Sequence, residues 1–266
     1  MKYSIKPAIK TGRKLLCLLP LFFLATTVRA EPVSGYAFIT PETRAMQDDD
    51  FANPGLLAVD RGLELFQQKD KGSTKSCVSC HGDDGEKLDR KAIAAYPKFN
   101  AAGKQISQQI ISLQDQINTC RVRNGNTRLA TNSHDLVTLE TFVRSLARGE
   151  KQKVETGKAV ASILAKGEKL YKTRYGLIDM SCNHCHNLYT GKMIRGQKIS
   201  QGQGNGFPVY RLDTGEITSL QQRIQQCMNL LRAEPFPTDS DEIKLLEYYI
   251  MSRGNGLPIE TPAVRY

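Results

Sequence analysis

Cys77-Val78-Ser79-Cys80-His81 and Cys182-Asn183-His184-Cys185-His186 both read C-x-x-C-H. The spacing has a chemical reason. Two thiols one helical turn apart can add to the two vinyl groups on one edge of a porphyrin. The next residue then sets an imidazole on the iron from the same face, and this is the c-type haem attachment pattern. A zinc site needs four nitrogen or sulfur ligands in other spacings, for which the chain's other cysteines could be recruited. A dithiol redox pair has no need of a histidine after its second cysteine. Two such motifs in one chain point to two covalently attached haems. Cys77, Cys80, Cys182 and Cys185 are then the attachment thiols, and His81 and His186 each ligate an iron.

Two further cysteines, Cys120 and Cys227, follow the haem histidines by 39 and 41 residues within a shared S-L-Q-x-x-I-x-x-C sequence. Attachment does not need them. They can serve as second axial ligands, pair with each other if their Cα atoms come within about 6 Å, or stay as inert buried thiols. His134, or no ligand, competes at the first iron, and Met193, Met228 or Met251 at the second. His184 sits between two attached cysteines and is sterically hindered. An axial thiolate donates electron density to the iron and lowers its potential, which suits sulfur chemistry better than simple electron shuttling. The residue four before the cysteine is Gln116 in the first case and Arg223 in the second. Residues i and i+4 share a helix face, so a guanidinium beside Cys227 could hold an oxyanion by two parallel hydrogen bonds. A solvated arginine, or one paired with a haem propionate, is the ordinary alternative. Arg232, Lys244 and Arg253 add positive charge downstream. Charge on exposed helices ordinarily serves solvation, and only Arg253, near the end of the last helix, is a candidate second anion contact.

The elements that must position these groups repeat. The haem motifs are 105 residues apart, and Gly62-x-x-Leu65-Phe66 precedes the first as Gly167-x-x-Leu170-Tyr171 precedes the second. The cysteine-bearing blocks are 107 apart, as are Leu136, Leu139, Glu140, Phe142, Val143 and Ser145 against Ile243, Leu246, Glu247, Tyr249, Ile250 and Ser252. Four blocks in one order indicate a duplicated domain. Helical spacing predicts opening helices over 56–68 and 159–173, middle helices over 107–121 and 217–231, and closing helices over 135–147 and 241–253. The fold class expected is all-α: two tandem class I cytochrome c-like domains after an N-terminal extension. Their ranges are 31–55 for the extension, 56–148, a charged linker over 149–157, and 158–266. The glycine run from Gly202 to Gly206 lacks a following Lys-Ser/Thr, so it reads as a loop and not a phosphate cradle.

The chain has 266 residues with 37 Lys+Arg against 27 Asp+Glu, but residues 1–30 hold six of the bases and no acid. The remainder is near balance at 31 against 27, so basicity gives no support to nucleic-acid binding. Residues 1–30 have a basic start, an apolar run from Leu15 to Val28 and a small residue, Ala30, before Glu31, the layout of a cleaved export signal. The run falls short of the roughly 20 residues that span a bilayer. An exported, periplasmic protein with no stable membrane insertion is expected.

The stretches Gly206-Phe207-Pro208-Val209-Tyr210-Arg211-Leu212, Arg223-Ile224-Gln225-Gln226-Cys227, Arg232-Ala233-Glu234-Pro235-Phe236-Pro237 and Gly256-Leu257-Pro258-Ile259-Glu260-Thr261-Pro262 resemble the SoxA family. These are haem subunits of SoxAX cytochromes in sulfur oxidation. The resemblance implies a heterodimer with SoxX, a smaller cytochrome c. It also implies an L-cysteine S-thiosulfotransferase activity that joins thiosulfate oxidatively to a cysteine of the carrier SoxYZ. The family's active-site cysteine, which can carry a persulfide, maps to Cys227, its substrate arginine to Arg223, and its first-haem axial thiolate to Cys120. Arg253 lies where the flanking spacing is less distinctive. A diheme electron carrier without a substrate site, and a thiosulfate dehydrogenase making tetrathionate, are the competing readings.

Overall fold

Serine side chains start four of the longer helices at matched points of the repeat. Ser112 Oγ accepts from Asp115 N at 3.1 Å while Ser112 N donates to Asp115 Oδ2 at 2.8 Å. Ser219 and Gln222 make the same pair of bonds at 3.2 and 2.9 Å. Ser133 and Ser240 accept from Leu136 N and Ile243 N. Each bond satisfies an amide that the first helical turn leaves without a partner. The computed structural model describes residues 1–4 and 31–266, so nearly all of the expected leader lies outside the described residues. Among the described residues, no helix is long and apolar enough to cross a membrane.

Pro32–Tyr266 is one compact unit. A short helix, α1 (Pro41–Asp48), lies in the extension. The first repeat runs α2 (Leu56–Gln67), α3 (Val78–His81), α4 (Arg90–Ala94), β1 (Lys98–Phe99), α5 (Ile106–Gln109), β2 (Ile110–Ile111), α6 (Leu113–Arg123) and α7 (His134–Ser145). The second runs α8 (Ala161–Lys172), β3 (Met193–Ile194), β4 (Gln197–Lys198), β5 (Val209–Arg211), β6 (Glu216–Thr218), α9 (Leu220–Leu230), α10 (Asp241–Arg253) and β7 (Ala263–Arg265).

In each repeat the opening helix crosses the closing one at a glycine. A Cβ at Gly62 would lie 2.5 Å from both Phe142 Cβ and the Thr138 carbonyl oxygen. A Cβ at Gly167 would lie 2.7 Å from Tyr249 Cβ and 2.6 Å from the Leu245 carbonyl oxygen. Those partners are themselves matched positions. The crossing is sealed by Phe66 on Phe142 (5.1 Å between centroids) and Tyr171 on Tyr249 (5.3 Å).

The all-α expectation needs correcting: the described residues are mostly helical, with three small sheets. Two of them hold a further duplicated element. Lys98 pairs with Ile111 as Val209 pairs with Thr218, and Phe99 with Ile110 as Tyr210 with Ile217. Between haem motif and hairpin the second repeat is six residues longer, and its hairpin loop is four shorter, which conceals the match in a net change of two. The middle helices accordingly start later than periodicity suggests, at Leu113 and Leu220. The β-branched residues just before their serine caps go into strands, where branched side chains pack well.

The halves interlock. Ile110, with Phe99 and Ile106, packs in the second repeat's core, while Ile259 packs in the first's. The linker segment is not free, because Gln152 and Val154 are buried and Gly149, Glu150 and Gln152 exchange backbone bonds with 256–259. The extension straps the far end: Gln47 accepts from Val264 N at 3.0 Å and Asn53 donates to Pro262 O at 3.1 Å. Asn132 bridges the repeats, accepting from Gln114 (3.2 Å) and Ser219 (2.8 Å) on its side-chain oxygen and donating to Gln221 (3.3 Å). Lys244, expected to be a solvated helix charge, is instead buried and donates to Asp115 of the other repeat. Matched carboxylates complete the interface, with Gln114 donating to Glu140 at 2.7 Å and Gln221 to Glu247 at 2.8 Å.

Candidate functional site

The first motif forms the turn its chemistry requires. His81 N and Cys80 N both donate to the Cys77 carbonyl, at 3.0 and 3.1 Å, placing both thiols and the imidazole on one helical turn. Burial pushes the Cys77 thiol up and holds His81 below the usual imidazole value, favouring the neutral ring that ligates metal. Cys120, on α6, lies within electrostatic reach of Cys77 and accepts a hydrogen bond from Gln116 at 3.3 Å.

The second motif is tied more tightly. His186 Nδ1 bonds the Ser200 carbonyl at 2.9 Å, and the imidazole lies within electrostatic reach of the Cys227 sulfur. A backbone partner on one ring nitrogen fixes the orientation of the other, as metal-binding histidines require. Gly202, at φ +67°, lies against this ring: a Cβ there would come within 2.7 Å of His186 Cγ. His184 is held aside by Ser181 Oγ at 2.7 Å. Burial pushes the Cys182 thiol up to about 12 and that of Cys185 up.

Cys227 stands one turn after Arg223 on α9. Burial alone would push its thiol up, but the Arg223 guanidinium, the His186 imidazole and Arg211 outweigh it, so the thiol lies below its ordinary value. Among the described residues, the Arg223 side chain donates only to the neutral Gln226, at 3.3 Å.

Sequence reasoning missed Arg211, although it lies in the Gly206–Leu212 stretch. Burial first, and Arg223 second, lower its pKa, and its Nε and Nη2 donate to Asp213 at 3.1 and 2.9 Å. Burial acts to raise Asp213, but its bonds from Arg211 and the field of Arg223 hold it below the usual carboxylate range.

Arg253 lies against the Ser200–Gly202 segment that holds His186. It donates to Asn187 and the Gln201 carbonyl, both at 2.9 Å, and stacks 4.6 Å from the Tyr171 ring centroid, on the side of the attachment cysteines. Among the competing ligands, His134 and Met193 are exposed and Met251 is packed in the second core.

All six cysteines of the described residues are unpaired, so Cys120 and Cys227 do not form a disulfide. Among those residues no three His, Cys, Asp or Glu side chains converge as a zinc site needs. A haem iron needs only two axial ligands, and two attachment thiols, an imidazole and a facing thiol form a donor set that fits c-type haem. Tyr171 Oη and Arg253 Nε, buried without partners beside the second motif, are also consistent with a further group completing the packing.

A family described as SoxA/TsdA, cytochrome c domain, matches residues 61–152 and 166–259. The chain is 39% identical to the L-cysteine S-thiosulfotransferase subunit SoxA of Pseudaminobacter salicylatoxidans, over 88% of this chain and 81% of that one. It is 36% identical to its counterpart in Rhodovulum sulfidophilum, over 87% and 79%. The crystal structure of SoxXA from P. pantotrophus aligns with a TM-score of 0.78 at 33% identity, covering 88% of this chain and 87% of that one.

Proposed function

The chain belongs to the SoxA/TsdA cytochrome c family, and from that we infer that it joins thiosulfate oxidatively to a cysteine of a carrier protein, as an L-cysteine S-thiosulfotransferase subunit. The observation that carries the site assignment is the Cys227 sulfur, one helical turn beyond Arg223 and within electrostatic reach of the His186 imidazole. The smaller cytochrome SoxX is its heterodimer partner, and a SoxYZ-like carrier is the acceptor. The leader composition supports a periplasmic location.

Cys77, Cys80 and His81 with Cys120 hold one c-type haem, and Cys182, Cys185 and His186 with Cys227 the other. Bound there, haem supplies a one-electron acceptor at the site. The protein's own groups do the rest. Arg223 binds the sulfonate oxygens of thiosulfate and brings its terminal sulfur to Cys227. Ser200 and Gly202 hold the His186 ring in orientation. In the overall reaction a sulfur–sulfur bond forms between thiosulfate and the carrier cysteine, the thiol proton is released, and two electrons leave in single steps.

Replacing Cys227 by Ser, with both haems still attached, is expected to abolish thiosulfate-dependent reduction and formation of the carrier adduct, followed by mass spectrometry. Unchanged turnover refutes the site. Adduct formation also separates this activity from a plain electron carrier, which gives none, and from a dehydrogenase, which makes tetrathionate without the carrier.

A further inference from the structure

The duplication gives the protein an internal comparison, because the same scaffold is used twice with different side chains at two points. Hairpin register places Asn100 where the second repeat has Arg211, just as helix register places Gln116 where it has Arg223. Both neutral residues become arginine together, and only beside Cys227. Shared scaffolding does not call for this change, since the first repeat folds without it.

Arg211 is also held at some cost. Its side chain is 5% exposed, and Asp213, its one ion-pair partner among the described residues, is 42% exposed. Burying a guanidinium against a single, half-solvated carboxylate gives little stability in itself. The arginine is nonetheless fixed from several sides. β5 pairs with β6 through Arg211 and Glu216 and with β7 through Arg211 and Arg265. β7 is in turn tied to the extension through Gln47 and Val264. Asp213 takes Nε and Nη2, leaving Nη1 without a protein acceptor among the described residues. Arg211 is within electrostatic reach of Arg223 and Cys227. Two guanidinium groups against one carboxylate leave an excess positive charge beside the sulfur.

We propose that Arg211 is the second anion contact of the Cys227 site, so that Arg211 and Arg223 together grip the sulfonate end of thiosulfate while Asp213 holds Arg211 in position. This rests on the reading of Cys227 as the thiosulfate site. Two planar forks can engage all three sulfonate oxygens, leaving the terminal sulfur free to meet Cys227. Hydrogen bonds aimed at the three sulfonate oxygens favour thiosulfate over neutral thiols, which carry no such group.

The test uses the haem-loaded complex with its partner cytochrome and carrier, and follows initial rates against thiosulfate concentration. Arg211→Gln is expected to raise KM at least tenfold with kcat within about threefold, and Arg211→Lys to restore part of the loss. The neutral pair Arg211→Gln/Asp213→Asn leaves no lone buried charge, so it covers the case in which the single variant fails to fold, and it should show the same raised KM. A KM within twofold of wild type in the neutral pair, alongside a raised KM in Arg223→Gln, overturns the proposal and leaves Arg211 a structural ion pair. Loss of kcat at unchanged KM, equal in the Gln and Lys variants, overturns it as well. An unchanged KM in both Arg211→Gln and Arg223→Gln would instead remove the thiosulfate site itself.

Discussion

Glu140 offers the sharpest quantitative check on how the repeats are joined. It borders a narrow cavity between them together with Arg144, Glu247 and Met251. Burial pushes its carboxyl from 4.5 up to about 7, against the opposing bond from Gln114 and with further help from Glu247. Between those two values the unfolded chain has released its proton while the folded protein keeps it. Stability from this group is therefore complete below pH 4.5 and is lost as pH rises through 7. At about 1.4 kcal/mol per pH unit the full shift is worth about 3 kcal/mol. Glu140 retains some exposure, which lowers the expectation to about 2–3 kcal/mol. Glu140→Gln keeps the shape and an acceptor for Gln114 while removing the titration. Denaturant unfolding of the haem-loaded protein from pH 4.5 to 8 should show the variant gaining on wild type by that amount. Changes in haem ligation of the unfolded chain cancel in the difference. A difference that stays flat across the range would refute the buried-carboxylate account of the interface.

Gly62→Ala and Gly167→Ala should each destabilise by roughly 1–3 kcal/mol, because the new methyl meets backbone and a Cβ and not a flexible side-chain end. Gly157→Ala, whose nearest neighbour is 3.8 Å away at Glu155, should stay within about 0.5 kcal/mol in the same melts. Gly202→Ala places a methyl against His186 at a backbone angle that costs alanine about 1–2 kcal/mol. It should shift the potential and electron paramagnetic resonance signal of the second haem while leaving those of the first unchanged. Lys244→Met should cost roughly 2–3 kcal/mol, less than the 3–5 typical of fully buried pairs, because Asp115 keeps 19% exposure.

The haem motifs, the duplication and the S-L-Q-x-x-I-x-x-C helices were legible because each is a local pattern. A C-x-x-C-H turn or a helical period is fixed by residues within a few positions of one another. The repeated hairpin was not legible, since compensating length changes hid it and two-residue strands carry almost no periodic signal. Lys244 was misread for a related reason: a lysine on an amphipathic helix reads as solvated until a partner from the other repeat covers it. Arg211 was not legible for the same reason. It comes from a strand whose position depends on β7 and the extension.

Chain chemistry alone therefore determined which cofactor the protein can attach, that it was built twice, and that one copy differs from the other at Arg223. Tertiary structure decided which cations stand beside Cys227 and how the copies interlock. Covalent attachment depends on spacing along the backbone, whereas the electrostatics of a site depend on distances through space that only packing sets.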